Sequence, residues 1–91
     1  MKWLEVIKLR SAGKDSAPLD ELLMSMTKMA HPGPAVVKVF LHAVLEGDLS
    51  VHLYWDSERL EQNGSALGIR LAQALKEFGL IDHSVWIEEE K

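Results

Sequence analysis

The stretch Ala35–Trp55, AVVKVFLHAVLEGDLSVHLYW, decides how this chain folds. It is dense in β-branched and aromatic residues, which suit a pleated, half-buried surface. Glu46-Gly47-Asp48 interrupts it as a tight turn, so it reads as two antiparallel strands, Ala35–Leu45 and Leu49–Trp55. A turn of these three residues sets Leu45 opposite Leu49, Ala43 opposite Val51, Leu41 opposite Leu53 and Val39 opposite Trp55. One face of the hairpin is then wholly apolar. The other face pairs Val44 with Ser50, His42 with His52, Phe40 with Tyr54 and Lys38 with Asp56. A turn at Gly47-Asp48 alone would slide the pairing by one residue and mix these sets, because such a slip turns a strand over.

Working outward, Trp3–Arg10 reads as a strand with apolar residues on both parities, and Ser11–Ala17 as a loop. Ser16 or Ala17 caps a helix that carries Pro18 in its first turn and Leu19, Leu22, Leu23, Met26 and either Met29 or Ala30 at helical spacing. His31-Pro32-Gly33-Pro34 stops it, and His31 suits the negative end of the helix dipole. Beyond the hairpin, Ser65 caps a second helix with Leu67, Leu71, Leu75 and Phe78 on one side and Gly79 at its end. His83–Glu88 alternates as the last strand. The order is β-α-β-β-α-β over residues 1–91, read as one domain. Its expected architecture is the α+β ferredoxin-like plait: a four-stranded antiparallel sheet in the order 4-1-3-2 with two helices on one face.

Composition narrows the chemistry. The chain has 91 residues, a net charge of −4 and no cysteine. The acidic balance argues against nucleic acid, whose phosphates call for a basic surface. The missing thiols exclude disulfides, cysteine-based metal sites and a cysteine nucleophile. No run approaches the length of a membrane span and Met1–Glu5 lacks a signal-peptide pattern, so a cytoplasmic protein is expected, without membrane partners.

The sheet face turned away from the helices carries Phe40, Val44, Tyr54 and Trp86 among Lys38, His42, Ser50, His52, Ser84 and Glu88. Strand one adds either Leu4 and Val6 or Trp3, Ile7 and Leu9. That much apolar area suits an interface, and the simplest partner is a second copy, sheet against sheet.

With these elements in this order, the chain resembles the dimeric α/β-barrel superfamily of antibiotic-biosynthesis-monooxygenase-like proteins. The resemblance spans Trp3–Arg10, Leu19–Met29, Ala35–Trp55, Ser65–Phe78 and His83–Glu88. It implies ferredoxin-like protomers paired through their sheets, and in some members oxidation of an aromatic substrate without metal or cofactor. The haem-degrading branch uses an early Asn, and the only Asn here is Asn63.

His42 and His52, opposed across the hairpin, are the expected acid–base pair, with Tyr54 beside them. Trp86, Phe40 and Lys38 are the expected ligand-binding residues around a flat molecule. A metal on the histidine pair would need a carboxylate such as Glu5 or Glu88, and neither metal nor cofactor is expected. His83 beside Asp82 does not make a dyad, because adjacent strand residues point to opposite faces. Two functions follow: a homodimer that binds or oxidises a small aromatic molecule, or a non-enzymatic ligand-sensing or interaction module whose sheet face is only its interface.

Overall fold

The computed structural model of the chain describes residues 1–11, 17–29 and 33–89. Six main elements follow one another: β1 (Lys2–Ser11), α1 (Ala17–Met29), β2 (Val36–Leu41), β3 (Leu49–Asp56), α2 (Ala66–Leu75) and β4 (Gly79–Ile87), with a short 3-10 turn at Lys76–Phe78. The result is an α+β arrangement compatible with a ferredoxin-like fold. The four strands form one antiparallel sheet in the order β2-β3-β1-β4, which counted from its other edge is 4-1-3-2. The capping role expected of His31 and the expected cap at Ser16 lie outside the described residues.

The long central strand β1 pairs with β3 from Lys2↔Asp56 to Leu9↔Leu49 and with β4 from Trp3↔Ile87 to Ser11↔Gly79. Its length explains a difference from the sequence reading. Pairing to the end of β1 draws Gly79–Asp82 into β4, so α2 stops at Leu75, a 3-10 turn runs on to Phe78, and Gly79 both caps that turn, as expected, and opens the strand.

The helix side of the sheet holds the core. Ile7, Leu9, Val51 and Leu53 rise from it to meet Leu67, Leu71 and Leu75, with Leu23 from α1 and Phe78 joining them. Leu67, Leu71 and Leu75 are spaced four apart, which keeps them on one face of α2. All of these residues are buried. A Leu→Ala truncation in such a place costs about 2–5 kcal/mol.

The hairpin departs most from expectation. Leu41 faces Leu49 instead of Leu53, Lys38 faces His52 instead of Asp56, and Phe40 faces Ser50 instead of Tyr54. The register is displaced by four residues, an even number, so the residues that stay in the two strands keep their expected faces, while His42, Ala43, Val44 and Leu45 leave the sheet. The strand ends early because the backbone finds other partners. The amides of Val44 and Leu45 both donate to His42 Nδ1, at 3.0 and 2.9 Å. The His42 amide reaches the Asp48 carbonyl at 2.9 Å, and Asp48 Oδ1 accepts from the Ser11 amide at 2.8 Å. The segment 42–48 is therefore a loop, and the expected turn at 46–48 is only its last part. The opposition of His42 and His52 is thus corrected: His52 faces Lys38, and His42 belongs to the loop.

Candidate functional site

On the open face, register arranges the side chains in rows across all four strands. Val36, Tyr54, Leu4 and Trp86 stand side by side in the first, aromatic row. Lys38, His52, Val6 and Ser84 form the second, and Phe40, Ser50, Lys8 and Asp82 the third. One step beyond the aromatic row come Asp56 and Lys2, with the Glu88 amide bonded to the Lys2 carbonyl at 3.1 Å. Of the two sets offered by β1, it is Leu4 and Val6 that face this way. The aromatic row thus lies between the charged edge of Lys2, Asp56 and Glu88 and the mixed second and third rows.

The expected site residues divide among these rows. Tyr54 and Trp86 share the aromatic row and line an open groove of about 540 Å³ together with Trp3, Leu4, Trp55 and Ile87. Trp86 is 60% exposed, and its indole N–H donates to Ser84 Oγ at 2.9 Å. The Lys38 ammonium lies 5.7 Å from the centre of the Tyr54 ring, a cation–π contact. His52 stands between the ends of the face. Its ring centre is 4.7 Å from that of Phe40 and 6.4 Å from that of Tyr54, and its Nε2 is 3.1 Å from Ser50 Oγ. Partial burial, and then the charge of Lys8, hold its pKa below the ordinary 6.5. A ¹H–¹⁵N titration is expected to place the His52 midpoint below 6.5, with a neutral imidazole at pH 7; a midpoint above 6.5 would contradict this placement. Phe40 and His42 line a second groove, of about 470 Å³, at the other end with Lys8, Arg10 and Leu80. Since His42 Nδ1 is already bonded to two loop amides, His42 is a loop cap away from the aromatic row.

A second cluster, which the sequence reading passed over, sits on the helix side. Glu5, in the middle of β1, has no exposed surface. Its Oε1 accepts from the Trp55 indole at 2.9 Å and the Ser65 hydroxyl at 2.7 Å. Its Oε2 accepts from the Ser65 amide at 3.0 Å and lies 2.7 Å from His83 Nε2. A buried carboxylate is tolerated only when its lone pairs are met, and four groups meet them here. With Glu5 as acceptor, His83 Nε2 carries the proton of that bond. Ser65 has two tasks: its hydroxyl also accepts the Gly68 amide at 2.9 Å and so caps α2, as its sequence position suggested.

Two glycines make room for the cluster. Gly68 lies in the buried face of α2, and a methyl group there would overlap the Glu5 carboxylate. Gly64 has φ +100°, the left-handed region that suits glycine, and a side chain on it would strike the His83 ring. The signal for Glu5 was parity. It alternates with Trp3, Ile7 and Leu9 on the inward side of a strand, where a lone carboxylate needs donors. Among the described residues no three His, Asp or Glu side chains converge as a metal site, and no described helix is long and apolar enough to cross a membrane.

No family model matches the chain, and no curated protein or solved structure matches it either.

Proposed function

We propose that the protein is a homodimer that binds a small, flat aromatic molecule in the groove of the aromatic row. The observation that carries this reading is the groove's lining, with Tyr54 and Trp86 flanking Leu4 and with Lys2, Asp56 and Glu88 at its polar edge. Its volume of about 540 Å³ suits a small organic ligand. Lys38 and His52 stand in the next row, with the Lys38 ammonium against the Tyr54 ring, while Phe40 belongs to the groove at the other end; His52, neutral at pH 7, is the base that could take a proton from a phenolic ligand. His42 has no part in this groove. Any chemistry, including a cofactor-independent oxidation of the bound molecule, would therefore centre on His52 and Tyr54.

Pairing is supported by what the open face leaves uncovered: Trp86 at 60%, Phe40 at 48% and Val36 at 45% exposure on a single surface. An apolar patch of this kind is a poor match to water and a good match to another protein surface. The same feature favours a second reading, an interaction module whose sheet face is filled on pairing and takes no ligand.

The probe 8-anilinonaphthalene-1-sulfonate separates the two. The ligand-binding reading expects saturable fluorescence enhancement that Trp86→Ala weakens about tenfold, the effect of removing an aromatic anchor. Enhancement that Trp86→Ala and Tyr54→Ala both leave unchanged would favour the interaction module.

A further inference from the structure

We infer that the molecule bound in the aromatic groove is an aromatic monoanion, a flat ring bearing one ionised acid group, and that Lys38 is the residue that selects it. This rests on the aromatic-ligand reading of that groove and adds to it the sign of the ligand's charge.

Over the polar edge and the first three rows, the open face balances its charges with one exception. At the edge, Lys2 lies between two carboxylates: it faces Asp56 in the pairing of β1 with β3, and its carbonyl takes the Glu88 amide. The Met1 amine, 3.7 Å from Asp56 Oδ1, supplies a second cation there. In the third row Lys8 faces Asp82. The first and second rows between them hold one lysine, Lys38, and no carboxylate. Among the described residues no carboxylate lies within ion-pair distance of Lys38. His52, opposite it, is held toward its neutral form by partial burial and then by the charge of Lys8.

The position of this lone charge matters as much as its sign. Register puts Lys38 one row away from Tyr54, yet its ammonium lies over the Tyr54 ring, 5.7 Å from the centre. The side chain leans toward the aromatic row, so the charge stands at the border of the groove that Tyr54 and Trp86 line. A ring face attracts a cation without cancelling its charge. A cationic ligand would compete with Lys38 for that ring and be repelled by it. An uncharged ring laid on Tyr54 would strip water from the ammonium and give no partner in return. An acid group meets the ammonium in a charge-assisted hydrogen bond, in two rows where no protein carboxylate competes for it. The ring of the ligand then lies along Tyr54 and Trp86, with its acid group turned toward the second row. One cation matches one negative charge, and a second on the ligand would stand uncompensated.

Probes that share one ring and differ only in charge test this: 1-naphthoate, 1-naphthalenemethanol and 1-naphthylmethylammonium. Each is titrated into the ¹⁵N-labelled chain and followed at the Trp86 indole N–H resonance, which reports on the groove itself. Naphthoate is expected to bind about tenfold more tightly than the alcohol, the scale of one charge-assisted hydrogen bond. The ammonium compound is expected to bind more weakly than either. Lys38→Met is expected to bring naphthoate down to the alcohol's affinity, and Lys38→Glu to place the ammonium compound ahead of naphthoate. Equal binding of naphthoate and the alcohol by the parent chain, or a preference for naphthoate that survives Lys38→Met, would overturn the charge assignment and leave the aromatic groove standing. If none of the probes moves the Trp86 resonance, the aromatic-ligand reading itself fails, and the role of Lys38 falls with it.

Discussion

Glu5→Ala is expected to lower the stability of the chain by about 4 kcal/mol, the scale of removing one partner from a buried, hydrogen-bonded charge cluster. The cost comes less from the lost carboxylate than from what it leaves behind. The Trp55 indole, the Ser65 hydroxyl and amide, and His83 all point at Glu5, and without it they face a cavity beneath α2. Small domains are stable by only about 5–15 kcal/mol, so the loss would leave the fold close to its limit. Urea unfolding followed by tryptophan fluorescence measures it. Glu5→Gln is expected to fall between: its amide oxygen can keep two of the four donors, while its amide nitrogen confronts the other two. A Glu5→Ala midpoint within 1 kcal/mol of the parent would mean that the cluster contributes little.

Gly68→Ala carries the second large effect, and its sign is the informative part. In an exposed helix interior the same change stabilises by about 1 kcal/mol. Here it is expected to destabilise by about 2 kcal/mol, because the added methyl group would occupy the space of the Glu5 carboxylate. A mobile side chain could swing away; this one is held by four hydrogen bonds. In a Glu5→Ala background the obstacle is gone, and Gly68→Ala is expected to become neutral or stabilising. A double-mutant cycle by urea denaturation therefore expects strong coupling between positions 5 and 68. Additive effects would show that the close approach of Gly68 does not govern the packing.

Much of the fold was legible in the chain because periodicity carries it. The alternation in Ala35–Trp55 set which residues face the helices, and within Val36–Leu41 and Leu49–Asp56 those faces hold even though the pairing does not. Register was harder to read. Apolar alternation fixes parity, and a displacement of four residues satisfies it equally well. What chose between them was His42 Nδ1 collecting two loop amides and the Asp48 carboxylate collecting the Ser11 amide, side-chain contacts that leave no periodic trace. The candidate site divides in the same way. Tyr54 and Trp86 were placed on one face by parity, and they share a row. The histidine pair depended on register and came apart. Glu5 and His83 are far apart in the chain, and only the joint pairing of β3 and β4 with β1, together with the close approach of α2 at Gly68, brings their partners to one point.

Ser65 links the two layers of the molecule through a single oxygen. That atom gives its proton to a carboxylate in the middle of the sheet and takes one from the first turn of α2. It works as a dowel. The helix cannot slide along β1 or roll about its own axis without breaking the bond to Glu5, while the bond from Gly68, internal to the first turn, holds Ser65 to the helix. Spacing between Ser65 and Gly68 is therefore rigidly prescribed, whereas the segment 57–63 that leads into it is tied down chiefly at its ends, by Ser57 to Trp3 and Met1 and by Glu61 to Gly64. A change in the length of that loop would be absorbed at the surface. A residue inserted just after Ser65 would rotate the leucine face of α2 off the sheet.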